Sequence, residues 1–272
     1  MTIQDFPSHL PNAPLHEVVL GVQFSPLPSF TSVDTFDVWS LFSDKFPQVE
    51  EHRLIPPAFE VFTTESVTGE GGSRGIAPSY GSRLWFVSEN DANVIQFQRD
   101  RFLLNWRRRA ESDVRYTNFE EISNRFSTNL ERLSDHLAAK FKSGLEINQA
   151  EVSYIDRIPV KSLSESGSWV TLCPENIPNA ESLYMTFSES INDAKGNKYA
   201  RLHHELRNFQ FDSHTSSNIA LRLTMTFRGK PMKRDIAGAL DFIEDGQKQI
   251  SSRFWEITTE SAHDYWERKQ ND

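Results

Sequence analysis

Cysteine is almost missing from this chain: Cys173 is the single one in 272 residues. That excludes an intramolecular disulfide and a multi-cysteine zinc site, and it suits a reducing compartment. Long apolar runs are missing as well. No stretch approaches the ~20 uninterrupted apolar residues that cross a bilayer, and the opening MTIQDFPSHLPNAPLHE lacks the basic-then-apolar layout of a secretory signal. A cytoplasmic protein without a membrane partner is the expectation. Basic residues are in deficit, 29 Lys and Arg against 38 Asp and Glu for a net charge of −9. This excludes a surface that coats nucleic acid or an anionic membrane all round and leaves room for a local basic patch.

The usual signatures of chemistry are also absent. The glycine cluster Gly69 to Gly75 neither follows a strand nor opens a helix, and no Gly-Lys-Ser/Thr comes after it, so a phosphate cradle is unsupported. There is no G-x-S-x-G elbow, and Cys173 precedes Pro174 with no histidine nearby in sequence. His203, His204 and Glu205 come nearest to a ligand set. On a strand, however, His203 and Glu205 share one face while His204 points away, which leaves two ligands and no third. No metal and no cofactor are expected.

What the chain does contain is aromatic bulk, 20 Phe and 6 Trp among only 38% apolar residues, enough to build a core from few large rings. Glu17 to Phe24 alternates like a half-buried strand. A helix capped by Ser32 is expected next, with Asp34 and Asp37 in its first turns and Phe36, Trp39, Phe42 and Phe46 on one stripe. A short strand from Ala58 to Phe62 should follow the Pro56-Pro57 pair, then a loop over residues 65–82. Three runs, LWFVS, NVIQFQ and FLLNWR, separated by short turns including Asp100-Arg101, predict an antiparallel meander. Thr117 with Glu120 forms a capping box for a long helix whose apolar stripe runs from Phe119 to Phe141, ending at Gly144.

The second half repeats the order. Strands are expected over 151–158, 182–188, 199–211 and 218–227, then a helix from Asp235 with Gly246 as a weak point, and a last short helix over 260–269. The fold class that results is α+β, with two similar halves, 1–144 and 145–272, each an antiparallel meander with a long amphipathic helix. Together they form a curved sheet backed by helices, either as a duplication or as two uses of a common α+β solution.

Two sets of residues are candidates for function. Residues 99–142 hold ten basic and seven acidic side chains, whereas 1–98 and 143–272 are both net acidic. Within this stretch Arg99, Arg101, Arg107, Arg108 and Arg109 stand beside Asn105 and Trp106, the arginine-aromatic mixture used for protein hot spots and for phosphate contacts. The readings are a solvated hairpin rim, a partner-binding patch or a nucleic-acid contact. Gln23, Gln96 and Gln98 form the second set, amides on strands with apolar neighbours, lining one sheet face or turned to water.

The segments NAPLHEVVLGVQF, VIQFQRDRFLLNWRR and DYWER, with the central pattern IQ-x-Q-x-D-R-F-x-x-N-W, resemble a sporadically distributed bacterial family of chains of about this length with no established chemistry. The resemblance supplies no catalytic residues. Its patchy occurrence implies an accessory immunity, antitoxin or phage-defence component. Three functions follow as expectations. The first is a non-enzymatic protein binding a partner protein such as a toxin, effector or defence nuclease, its acidic N-terminal third favouring capture of a basic partner. The second is a nucleic-acid binder using residues 99–109. The third is an enzyme in the crevice between the halves with His203 and Glu205 as acid and base.

Overall fold

The computed structural model describes residues 10, 12–27, 29–62, 81–109, 115–142, 144–174, 179–213 and 216–268. Its centre is one antiparallel sheet of nine strands. In chain order these are β1 (Leu15–Phe24), β2 (Gln48–His52), β3 (Arg83–Val87), β4 (Asn93–Gln98), β5 (Arg101–Arg107), β6 (Ile147–Val160), β7 (Tyr184–Asn192), β8 (Lys198–Ser213) and β9 (Ser216–Gly229). The helices are α1 (Asp34–Ser40), α2 (Phe119–Phe141), α3 (Ile236–Ile257) and α4 (Glu260–Glu267), with a 3-10 turn over Leu163–Ser168. The spatial order is β2-β3-β4-β5-β1-β6-β9-β8-β7, so β1 and β6 meet in the middle. The α+β class is as expected, and the sheet is open rather than closed.

Alternation on each strand sends one set of side chains under the helices and the other set to the opposite face. Val18, Leu20, Val22 and Phe24 of β1, Phe102, Leu104 and Trp106 of β5, and Val152 and Tyr154 of β6 are buried on the helix side. There α2 and α3 cover them, and buried residues from Leu15 to Trp266 form one contiguous apolar cluster. Helix α2 begins one residue later than the capping box predicts. Asn118, in extended backbone, accepts from Glu121 N at 2.8 Å, and Lys142 in the left-handed region ends the helix before Gly144. Helix α3 starts where expected, Asp235 accepting from Gly238 N.

Several local expectations give way. Ser32 caps nothing: α1 is only seven residues long, Val33 stands at its N-cap, and Asp34 bonds Thr31 instead. Phe36 of the anticipated stripe is exposed, while Val38 and Phe42 are buried. The turn between β4 and β5 is Arg99-Asp100, leaving Arg101 inside β5. The extended stretch ending at Phe62 joins no ladder, whereas the polar run Gln48–His52 pairs with β3 as the sheet's edge strand. The predicted loop over 65–82 lies largely outside the described residues.

Candidate functional site

The face away from the helices carries the polar residues, and one row of them runs straight across four strands. Gln98 on β4 stands opposite Arg101 on β5, Arg101 opposite Gln23 on β1, and Gln23 opposite Gln149 on β6. Neighbouring strands lie about 4.8 Å apart, so the row covers roughly 14 Å. Residues 53–62 cross the sheet along this row, perpendicular to the strands, as an extended strap.

The row grips the strap by its backbone. The Gln98 amide accepts from Ile55 N at 3.1 Å and donates to Ile55 O at 2.9 Å, a two-bond match to the main chain of one residue. Arg101 Nη2 donates to Pro56 O at 3.2 Å and to Gln23 Oε1 at 2.7 Å. Gln23 Oε1 accepts from Ala58 N at 2.9 Å, and Gln149 Oε1 from Glu60 N at 3.2 Å. Ile55 to Glu60 spans five residue-to-residue steps, about 16 Å when extended, which matches the row. Pro56 and Pro57 hold that conformation and have no N–H to satisfy. Gln23 and Gln98 are only 4% exposed, so these amides are buried beneath a peptide rather than turned to water.

At the far end the strap is pinned by charge. Glu60 accepts from Arg201 Nη1 at 2.5 Å, Arg228 Nε at 3.0 Å and His203 Nε2 at 2.7 Å. Its side chain is 5% exposed. Burial works against the ionised carboxylate, but the bonds from His203, Arg201 and Arg228 outweigh it and hold the pKa down at about 2. Arg201 and Arg228 stand directly opposite each other on β8 and β9. Arg201 also lies over the Phe62 ring at 4.6 Å.

A second chain of polar contacts crosses the same face. Arg83 donates to Gln96, Gln96 donates to Asn105, and Asn105 donates to Glu17 at 2.6 Å. Beside it Trp85 is stacked on His52 at 4.1 Å, with the guanidinium groups of Arg83 and Arg107 each 5.5 Å from its ring.

The arginine-rich segment therefore does not form one surface. Arg99 is exposed on the β4–β5 turn, while Arg101 is buried under the strap. Trp106 points to the helix side, is 2% exposed and packs on Tyr116, so it is a core residue and not a contact residue. Arg107 and Arg109 both pair with Asp91 in the β3–β4 turn. Arg108 is exposed near the buried Asp156. Asn105 joins the second polar chain.

His203 and Glu205 do share the open face. Both ring nitrogens of His203 are engaged, Nδ1 by Ser188 Oγ at 2.7 Å and Nε2 by Glu60, while Glu205 pairs with Arg207 at 3.2 Å. The depression they line with Thr224, Thr226 and Arg228 measures 230 Å³, below the ~300 Å³ at which ligand clefts begin. Among the described residues no three His, Cys, Asp or Glu side chains converge as a metal site, and no helix is long and apolar enough to cross a membrane.

Sequence reading missed Gln149, Glu60, Arg157, Arg201, Arg207, Arg222 and Arg228. A signal existed in Arg222-Leu-Thr-Met-Thr-Phe-Arg228, whose alternation puts two arginines and two threonines on one strand face. No protein-family model and no curated protein matches the chain.

Proposed function

We propose that this is a non-enzymatic macromolecule-binding protein whose open sheet face holds an extended segment of a partner polypeptide, and that the strap 53–62 occupies this cradle in the free protein. One observation carries the reading: Gln98, Arg101, Gln23 and Gln149 bind main-chain atoms of the strap, and main-chain recognition accepts any extended polypeptide. The toxin, effector or defence-nuclease identity of the partner rests on the family resemblance alone. We also infer that residues 1–144 and 145–272 are a duplicated unit. Outward from the central pair, β5-β4-β3 follow β1 and β9-β8-β7 follow β6, each meander leading into a long helix, which supports that reading.

The test uses a labelled peptide of the strap sequence, RLIPPAFEVF, offered to the full chain. In Glu60→Ala the strap loses its anchor on Arg201, Arg228 and His203, so the peptide should bind this variant on the order of tenfold more tightly than wild type, the worth of one charge-assisted contact. Adding Gln23→Ala and Gln149→Ala should abolish that gain. A folded Glu60→Ala protein that ignores the peptide would end the proposal.

A further inference from the structure

The cluster that holds Glu60 has a counterpart on the same face. Six residues along β8 from Arg201, about 20 Å away, Arg207 stands opposite Arg222 of β9, which stands opposite Arg157 of β6. Three guanidinium groups thus lie abreast on three adjacent strands. Like charges directly opposite one another destabilise a sheet, so the arrangement has no folding benefit. More positive charge lies close by: burial first, then Arg157, Arg108, Arg109 and Arg222, push the pKa of His16 down to about 3. Neutralisation is partial. Arg207 has Glu205, Arg157 lies over the Phe209 ring at 5.1 Å, and Arg222 Nε is buried without a hydrogen-bond partner.

We propose that Arg157, Arg222 and Arg207 form a carboxylate-receiving site for an acidic stretch of the partner polypeptide. This rests on the reading of the open face as a polypeptide cradle. The occupied cluster shows the chemistry in miniature: a cross-strand pair, Arg201 and Arg228, with His203 from the same face, closes around a glutamate. The row at Arg222 repeats the cross-strand pair and supplies a third arginine in place of the histidine. Between the two clusters the face shows the neutral Thr224, Thr226 and Ser153, with Glu205 opposite Thr224 and paired with Arg207. A single-stranded nucleic acid is less well served, because it needs free aromatic rings for its bases. Trp85 and Phe209 on this face are covered by Arg83, Arg107, His52 and Arg157, and Tyr184, exposed on β7 opposite Arg207, offers one ring beside the arginine row rather than a series of them. The acidic partner segment also reverses the expectation of a basic partner drawn from net charge, since the face in question is basic within an acidic molecule.

The experiment measures fluorescence anisotropy of a labelled oligoglutamate and, separately, an oligothymidylate of equal length against the full chain at low salt. Wild type should bind oligoglutamate, and Arg157→Gln/Arg222→Gln/Arg207→Gln should weaken it on the order of tenfold or more. Removing like-charge repulsion should leave the triple variant at least as heat-stable as wild type; should it not fold, Arg207→Gln at its exposed position must show the same direction of loss. Oligoglutamate binding that is missing in wild type, or unchanged by the substitutions, overturns the site. Tighter capture of oligothymidylate that the same substitutions remove overturns the assignment to polypeptide carboxylates. None of these variants touches Gln23, Gln149 or Glu60, so a failure here leaves the strap-peptide result standing, and a failure of the strap peptide with oligoglutamate still bound isolates the fault in the cradle reading.

Discussion

Gly246 sits in the middle of α3, where intrinsic propensity favours alanine by roughly 1 kcal/mol. Packing reverses the preference, because a Cβ there would lie 2.5 Å from a Phe227 ring carbon and 2.7 Å from Val152 Cγ1. The helix approaches β6 and β9 closely only because this residue has no side chain. Gly246→Ala should therefore lower the stability read from urea unfolding by about 1–3 kcal/mol, the usual effect of overpacking. An unchanged or raised midpoint would mean the helix can lift off the sheet. Asp156 is a second residue whose environment decides its chemistry. It is fully buried, neither carboxylate oxygen has a hydrogen-bond partner, and burial pushes its pKa well above the ordinary value of 3.8 despite the opposing pull of Arg108. The native state keeps a proton that the unfolded chain has lost, so this group's contribution to stability is full below about pH 4 and shrinks as pH rises. Asp156→Asn should match wild type near pH 4 and become progressively more stable than it toward neutrality. Parallel curves of stability against pH would show that the carboxyl is ionised inside.

At the level of elements, what the sequence reveals depends on whether a segment's own pattern or its neighbours determine its shape. The meander β3-β4-β5 and helix α2 were legible because Leu84, Phe86, Ile95, Phe97, Phe102 and Leu104, and Ile122 through Leu137, repeat at the period of the element they form. The strap was not. Ala-Phe-Glu-Val-Phe alternates like a strand, and only the cross-sheet row of amides makes it a lid over the face instead. Gln48–His52 was hidden for the opposite reason, since an edge strand with four exposed residues has no apolar rhythm. The arginines of β6, β8 and β9 are far apart in sequence and meet through register alone. The strap also answers to pH in a calculable direction. Glu60 is held at a pKa of about 2 against an ordinary 4.5, so its anchoring is complete above pH 4.5 and is lost as pH falls toward 2. Phe59 on the strap is exposed. Its cleavage by pepsin should accelerate steeply between pH 4.5 and 2 beyond the enzyme's own profile on a free peptide. At neutral pH, chymotrypsin should cut Glu60→Gln at this site on the order of tenfold faster than wild type; equal rates would show that the amide row alone fixes the strap.

For the whole molecule, the decisive feature is the seam. Strands β1 and β6 pair along nearly the full length of β1, from Leu15 opposite Asp156 to Phe24 opposite Ile147, and the side chains flanking them on the helix side belong to one apolar cluster. Neither residues 1–144 nor residues 145–272 keep that ladder when separated, and each would expose the seam strand as an open edge with Val18, Leu20 and Val22, or Val152 and Tyr154, uncovered on one flank. The strap adds a second tie, since its backbone is held by Gln98, Arg101 and Gln23 on one side of the seam and by Gln149 and Arg201 on the other, where Arg201, His203 and Arg228 also hold the Glu60 carboxylate. Folding should thus be a single event although the chain is long enough for two domains. Urea unfolding followed by far-ultraviolet circular dichroism and by tryptophan fluorescence should give coincident transitions, and core substitutions in either half, Phe126→Ala or Phe254→Ala, should shift that one transition by roughly 3–5 kcal/mol. Two separable transitions, each answering to only one of these substitutions, would mean that the seam is an interface between independent domains, and the cradle that spans it would then have to assemble by docking rather than by folding.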